Sequence, residues 1–218
     1  MLRITEPFTS WTHRLARVAV RPLIGTGVTP NDLTTARVVT GIASCTAFMI
    51  GDPAWDLWGG LLWLGSCFLD RADGELARIG GMSSPGGHLY DYYSDVAINA
   101  LFFVAIGIGL RDNFLGHASI ALGVIAGSTV AIASVLSERL EKIAATGDKA
   151  YAGVLGFDFD DVLYLFAPAV WIGLSMPLLI GASIGGPVFA VITWQRLSAI
   201  VQRKALAAEI GTSDRDAR

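Results

Sequence analysis

Charge is what this chain has least of. Asp, Glu, Lys and Arg together make up 16% of its 218 residues, where a soluble domain carries about a quarter. Cysteine is nearly absent as well. Cys45 and Cys67 both sit inside apolar blocks, which excludes a disulfide framework or a cysteine-based zinc site and leaves two small buried hydrophobes. His13 and His117 belong to no constellation. The net charge of −3 says little, because the distribution of charge matters more than the sum here; no nucleic-acid partner is expected. No cleavable signal peptide is read in residues 1–24, because Arg3, Arg14, Arg17 and Arg21 interrupt the apolar core it would need.

What the chain has in quantity is hydrocarbon: 53% hydrophobic residues and a mean hydropathy of +0.54. The apolar residues come in blocks of roughly 20, long enough to cross a hydrocarbon core of about 30 Å. The expected fold is an all-α membrane protein in one domain, 1–218. It has an amphipathic interfacial helix over about 4–22 and six spans at about 33–50, 55–78, 87–110, 118–137, 162–180 and 182–202. In the first helix Ile4, Phe8, Trp11, Leu15 and Val18 share one arc, and Arg14, Arg17 and Arg21 lie on another. That pattern suits a helix lying on the membrane or one packed on the protein's own base. Thr29 or Asn31 can cap the first span, and Trp55 and Trp58 suit interfacial anchors. Gly123-xxx-Gly127 in the fourth span permits close helix approach, and Pro168 and Pro177 are expected kinks in the fifth. With an even number of spans, Arg111 alone of the sixteen Lys and Arg residues falls on the far side. The positive-inside rule then turns both termini and the 79–86 and 138–160 loops to the cytoplasm, as expected for a bacterial cell membrane protein.

Within this hydrocarbon lie four aspartates. Asp70 and Asp73 are three residues apart, and Asp91 and Asp95 four apart, so on helices each pair shares a face. One pair ends the second span and the other begins the third, which places both at the same depth on antiparallel neighbours. Carboxylates at membrane depth are costly and mark functional sites. Four oxygen-bearing side chains converging on one spot are the donors that Mg²⁺ or Mn²⁺ prefers. Beside Arg78 at a membrane interface, the group points to a metal-dependent reaction on a phosphorylated substrate. Gly74 and Gly87 interrupt helices where Ala would be more stable by about 1 kcal/mol. Each can serve close helix packing or close approach of a ligand to the backbone.

Asp70-xx-Asp73-Gly74-xx-Ala77-Arg78, eight residues, then Gly87-xxx-Asp91-xxx-Asp95 resembles the signature of the CDP-alcohol phosphotransferase family. All eight specified positions match in order and register. The resemblance extends to the six-span plan, the amphipathic N-terminal helix and the Thr-Pro-Asn-x-Leu-Thr stretch that opens the first span. It implies that Asp70, Asp73 and Asp91 hold a metal centre of two Mg²⁺ or Mn²⁺ ions, with Asp95 contributing. It implies too that Asp95 is the base deprotonating the acceptor hydroxyl, and that Asn31, Gly74, Ala77, Arg78 and Gly87 bind the cytidine diphosphate part of the donor. CMP would then leave. The implied donor is CDP-diacylglycerol, the product a phospholipid and the assembly a homodimer. A CDP-linked head group passed to a lipid alcohol is the alternative within the family.

The acceptor lies outside the signature. Arg37, one turn inside the first span, suits a snorkelling arginine or a phosphate contact. Asn99 extends the stripe of Asp91 and Asp95 and can bind an acceptor hydroxyl or a neighbouring helix. An acceptor with its own phosphate needs cations beyond Arg78, for which Arg37, Arg139, Lys142 and Arg196 are candidates. Asp158, Asp160 and Asp161 read as a solvated loop or as a preference for a cationic or polyol acceptor. His88 reads as an interfacial histidine off the carboxylate face, or as an extra ligand. From different classes, an ion- or proton-coupled transporter would spread its carboxylates through the bilayer, and an inactive scaffold would not keep all four.

Overall fold

A computed structural model describes residues 11–144 and 159–216, without the side chains of 144, 159, 160 and 205–216. Arg3, Ile4, Phe8 and Asp158 lie outside the described residues, as does the side chain of Asp160. Every element among the described residues is helical: α1 (Trp11–Val20), α2 (Pro30–Ile50), α3 (Pro53–Ile79), α4 (Pro85–Gly109), α5 (Ala118–Ala144), α6 (Phe166–Trp171) and α7 (Ser175–Asp216). Helices at Pro30–Ile50, Pro85–Gly109, Ala118–Ile143 and Ser175–Lys204 are long and apolar enough to cross a membrane. With 27 residues, α3 is long enough too, but its stretch from 70 to 79 carries Asp70, Arg71, Asp73, Glu75 and Arg78.

Local chemistry sets the helix ends that matter for the site. Thr29 caps α2 in a reciprocal box with Asp32, and Pro30 occupies the first turn, where its missing N–H costs nothing. Ser84 caps α4 by accepting from the Gly87 amide, again with Pro in the first turn. Asp52 caps α3. The turns 51–52 and 80–84 are short, so α2, α3 and α4 run alternately up and down. The start of α2, the end of α3 and the start of α4 therefore meet at one end of the bundle.

The main core lies farther along the same three helices. Trp63 and Phe102 are packed with ring centroids 4.4 Å apart, and Phe102 stacks on Phe166 at 5.0 Å. Small residues let the backbones close. Ser44 Oγ donates to the Gly59 carbonyl at 2.7 Å, and Ser119 Oγ to the Gly107 carbonyl at 2.7 Å. The Gly123-xxx-Gly127 face of α5 is used inside the chain, against α4. A Cβ on Gly123 would lie 2.6 Å from the Phe103 carbonyl oxygen, and one on Gly127 would lie 2.4 Å from that of Ala100. A backbone carbonyl cannot rotate away. Gly127→Ala is accordingly expected to cost about 1–3 kcal/mol, read as a lower melting temperature of the detergent-solubilised protein. Gly65→Ala, where a Cβ would meet nothing within 4 Å, should leave the melting temperature unchanged or raise it.

The fifth and sixth expected spans are redrawn. In place of helices over 162–180 and 182–202, a 3₁₀ segment Phe159–Leu165 runs into the six-residue α6. The chain turns at Gly173, whose φ is +80°, and α7 then continues unbroken from Ser175 to Asp216. Pro177 sits in the first turn of α7, where proline is tolerated; Pro187 is the proline inside that helix. The Phe159–Trp171 stretch runs antiparallel to α3. Asp161 pairs with Arg71 at 3.5 Å, the Tyr164 hydroxyl donates to the Cys67 carbonyl at 2.9 Å, Trp63 Nε1 to the Leu163 carbonyl at 2.9 Å, and Trp171 Nε1 to the Asp56 carbonyl at 3.2 Å. With 3₁₀ rise of about 2.0 Å per residue and α rise of about 1.5 Å, this short stretch covers about 23 Å. α5 also continues past the expected end at 137, because Glu138 and Lys142 form an i, i+4 pair that supports the last turns in a polar setting.

Residues Thr12, Ala16 and Val20 of α1 are buried over Ala72 and Leu76, which with Val20 form a second apolar cluster. Trp11, Leu15 and Val18 are exposed on the outer side. Asp161 departs from the solvated-loop expectation. It is 5% exposed and accepts from Thr12 Oγ1 at 2.8 Å, fastening α1 to the rest of the bundle.

Candidate active site

Both carboxylate pairs reach the same end of the bundle, Asp70 and Asp73 from α3, Asp91 and Asp95 from α4. Arg37 stands among them. Its side chain is 3% exposed, with Nη2 2.5 Å from Asp95 Oδ1. Nε lies 2.9 Å from Asp70 Oδ1, a close ion-pair contact whose N–H is not aimed for a hydrogen bond. One buried guanidinium thus compensates the first and last acids of the signature. Asn99 Nδ2 donates to the same Asp95 oxygen at 2.8 Å. Of the candidate acceptor contacts, then, Arg37 and Asn99 both turn to Asp95. Lys142 pairs with Glu138 at 2.5 Å, and Arg139 and Arg196 are exposed on α5 and α7. His88 has a 66% exposed side chain and lies 4.0 Å from Glu138.

Asp73 is only 2% exposed. Its Oδ2 accepts from Thr34 Oγ1 at 2.6 Å, a bond that holds the carboxylate in one rotamer. Its Oδ1 is buried with no hydrogen-bond partner, and so is Asp91 Oδ1. A buried carboxylate oxygen left without a donor is expensive, and a hard divalent cation is the ligand that satisfies it. Among the described residues, no three His, Cys, Asp or Glu side chains already stand together as a metal-holding group. Arg37 lies between Asp70 and Asp95 instead. The donor set and the two orphaned oxygens still fit Mg²⁺ or Mn²⁺.

Beside these aspartates opens a cleft of about 310 Å³ lined by Asn31, Thr34, Asp73, Gly74, Ala77, Arg78, Gly87, His88 and Asp91. All four non-acidic signature residues, Gly74, Ala77, Arg78 and Gly87, contribute to it. The two glycines differ in kind. A Cβ at 74 would meet nothing nearer than Arg78 Nη2 at 3.7 Å, so packing does not require glycine there and the vacant space belongs to the cleft. At 87 a Cβ would crowd Ser84 Oγ at 2.9 Å and Asn31 Oδ1 at 3.2 Å, which makes that glycine part of the α4 cap. A larger cavity of about 460 Å³, lined by residues such as Phe48, Asp56, Asn113 and Trp171, lies at the opposite end. It holds no signature residue, so chemistry rather than size selects the smaller cleft.

Two residues of this region escape the sequence reading. Thr34 carried a signal, since it closes the Thr-Pro-Asn-x-Leu-Thr stretch and lies one turn before Arg37. Glu75 carried one as well, being an acid at the same depth as the aspartates. Its side chain is fully buried and accepts from Arg17 Nε at 2.9 Å.

The family model described as CDP-alcohol phosphatidyltransferase matches residues 27–202. No curated protein sequence matches the chain. Among solved structures, the fold is similar to that of the Mycobacterium tuberculosis phosphatidylinositol phosphate synthase PgsA1. With CDP-DAG bound, that protein superposes with a TM-score of 0.59 at 19% identity, over 87% of this chain and 92% of its own. In complex with manganese and citrate it gives a TM-score of 0.57 at 19% identity, over 88% and 87%. At that identity the likeness establishes a shared fold.

Proposed function

The chain belongs to the CDP-alcohol phosphatidyltransferase family, and we propose that it moves a phosphatidyl group from CDP-diacylglycerol to an acceptor alcohol with release of CMP. The observation that carries the site assignment is the pair of buried, unpartnered oxygens, Asp73 Oδ1 and Asp91 Oδ1, on the wall of a cleft that also exposes Asn31, Gly74, Ala77, Arg78 and Gly87. The CDP-DAG and manganese seen in the mycobacterial protein are ligands of the two kinds this wall suits.

In this reading Asp70, Asp73 and Asp91 hold Mg²⁺ or Mn²⁺, with Asp95 at the edge of the set. When bound, the cation neutralises the diphosphate and its leaving oxygen. Thr34 keeps Asp73 turned to the cleft. Arg78 and the open backbone at Gly74 receive the cytidine diphosphate. Arg37 and Asn99 fix the orientation of Asp95 by donating to one of its oxygens, and we assign them to that task rather than to the acceptor. Asp95 takes the proton of the acceptor hydroxyl. The acceptor oxygen bonds to the phosphorus bearing the donor alcohol as the bond from that phosphorus to the bridging oxygen breaks, and CMP carries that oxygen away. Positioning and charge neutralisation are the main requirements of such a displacement.

The same reading places the chain in the membrane as one domain with six crossings. α2, α3, α4, α5 and α7 make five, and the Phe159–Trp171 stretch the other. α1 lies on the cytoplasmic face beside the cleft with Trp11, Leu15 and Val18 toward lipid. Arg139, Lys142 and Arg196 remain the candidates for contact with an acceptor phosphate. The test is CMP release by the purified protein from CDP-diacylglycerol, with a panel of alcohols and alcohol phosphates. The expected result is release that requires Mg²⁺ or Mn²⁺ and stops with EDTA. Release by no acceptor with either metal defeats the proposal.

A further inference from the structure

The family signature leaves position 75 open, between Gly74 and Ala77, and this chain fills it with a carboxylate. Glu75 has a side-chain exposure of 0%, which an ionised group tolerates only when donors surround it. They come from two helices. From α1, Arg17 Nε donates to Oε2 at 2.9 Å and His13 Nδ1 lies 3.0 Å from Oε1. From one turn along α3, Arg78 Nη2 donates to Oε1 at 2.5 Å. The same Arg78 nitrogen is 3.2 Å from His13 Nδ1. Burial, with the charges of Arg71 and Arg78 adding to it, holds the His13 imidazole below the ordinary histidine range despite Glu75. The two arginines are therefore the charged partners of Glu75 at neutral pH.

Arg78 is the member of this group that reaches the cleft. Its side chain is 55% exposed, and it lines the cleft beside Gly74 and Ala77. A long side chain that must be ordered when ligand arrives costs affinity; one already ordered does not. We infer that Glu75 is a positioning residue for donor binding, which aims Arg78 into the cleft and ties that aim to the seating of α1. The inference rests on the reading that this cleft takes the cytidine diphosphate part of the donor. α1 reaches Glu75 because the side that carries His13 and Arg17 is the side seated on α3, with Ala16 at 0% and Val20 at 2% exposure and Thr12 bonded to Asp161. One buried carboxylate thus links a peripheral helix to the donor pocket.

The test is binding of CDP itself, with Mn²⁺ present, to the full-length protein in detergent, for wild type, Glu75→Gln, Arg78→Ala and the double variant. Glu75→Gln is expected to weaken binding about tenfold, the usual scale for a lost hydrogen bond to a charged group. Because Glu75 acts through Arg78, the double variant should bind no more weakly than Arg78→Ala alone, a non-additivity that coupled residues show and independent ones do not. A merely structural Glu75 would give the same tenfold loss on both backgrounds, and that result overturns the inference, as does wild-type affinity in Glu75→Gln. Arg17→Gln keeps the buried carboxylate and covers the case in which Glu75→Gln does not fold. It should weaken CDP binding about threefold, within the range for a charge-assisted bond partly exposed to water, and wild-type affinity there refutes the link to α1. Failure of the underlying reading looks different, because wild-type protein would then not bind CDP with Mn²⁺ at all.

Discussion

Asp95→Asn is expected to keep CDP binding while lowering CMP release by about a thousandfold, within the range of about 10² to 10⁴ for loss of a positioned general base. The amide is nearly isosteric with the carboxylate, and its carbonyl oxygen can still accept from Arg37 Nη2 and Asn99 Nδ2, which both meet Asp95 Oδ1. The position keeps its shape and loses its negative charge, and with it the capacity to take a proton. Asp70, Asp73 and Asp91 remain for the cation and the diphosphate. Turnover close to wild type in this variant would remove Asp95 from the proton transfer, and parallel loss of CDP binding would make it part of the donor site.

The second large effect belongs to Arg37. Arg37→Leu leaves Asp70 and Asp95 facing one another without the guanidinium that lies within 2.9 Å of the one and 2.5 Å of the other. Breaking a buried charge pair from one side costs about 3–5 kcal/mol, so a large fall in melting temperature is expected in EDTA. Added Mn²⁺ should restore more stability to Arg37→Leu than to wild type, because a cation at the aspartates supplies the missing neutralisation. Arg37→Lys should fall between the two, since one ammonium lacks the planar fork that reaches both acids. Equal melting temperatures for Arg37→Leu and wild type in EDTA would contradict the assigned role.

Much of this site was legible because spacing is a local property. Acids three and four residues apart must share a helix face, and the short 79–86 connection must bring the two pairs back to one depth. The Thr29 cap was legible for the same reason, since Thr29 immediately precedes a proline; Ser84 also precedes one, but it falls in the expected 79–86 loop, and the α4 it caps begins two residues before the expected start of that span. Partners across helices were not legible. Arg37 and Asn99 fell on the expected faces, but spacing cannot tell an arginine aimed at substrate phosphate from one aimed at Asp70 and Asp95. Gly123-xxx-Gly127 announced a close helix approach without naming α4 as the helix approached. Asp161 looked like part of an acidic loop until Thr12 and Arg71 met it from α1 and α3. The turn at Gly173 was hidden because hydropathy runs through it unbroken, and a positive φ leaves no mark on a hydropathy profile. Glu75 was overlooked because the four aspartates matched a signature and the fifth acid did not. Its meaning emerged only with α1 in place.

The most direct test of the account follows one phosphorus atom. CDP-diacylglycerol labelled with ³²P in the phosphate that bears the diacylglycerol is given to the purified protein, Mn²⁺ and the acceptor that supports CMP release. Attack at that phosphorus predicts that all label consumed from the donor appears in the new phospholipid, in a one-to-one ratio with unlabelled CMP. Label in the released nucleotide would mean that another bond breaks, and would contradict the account.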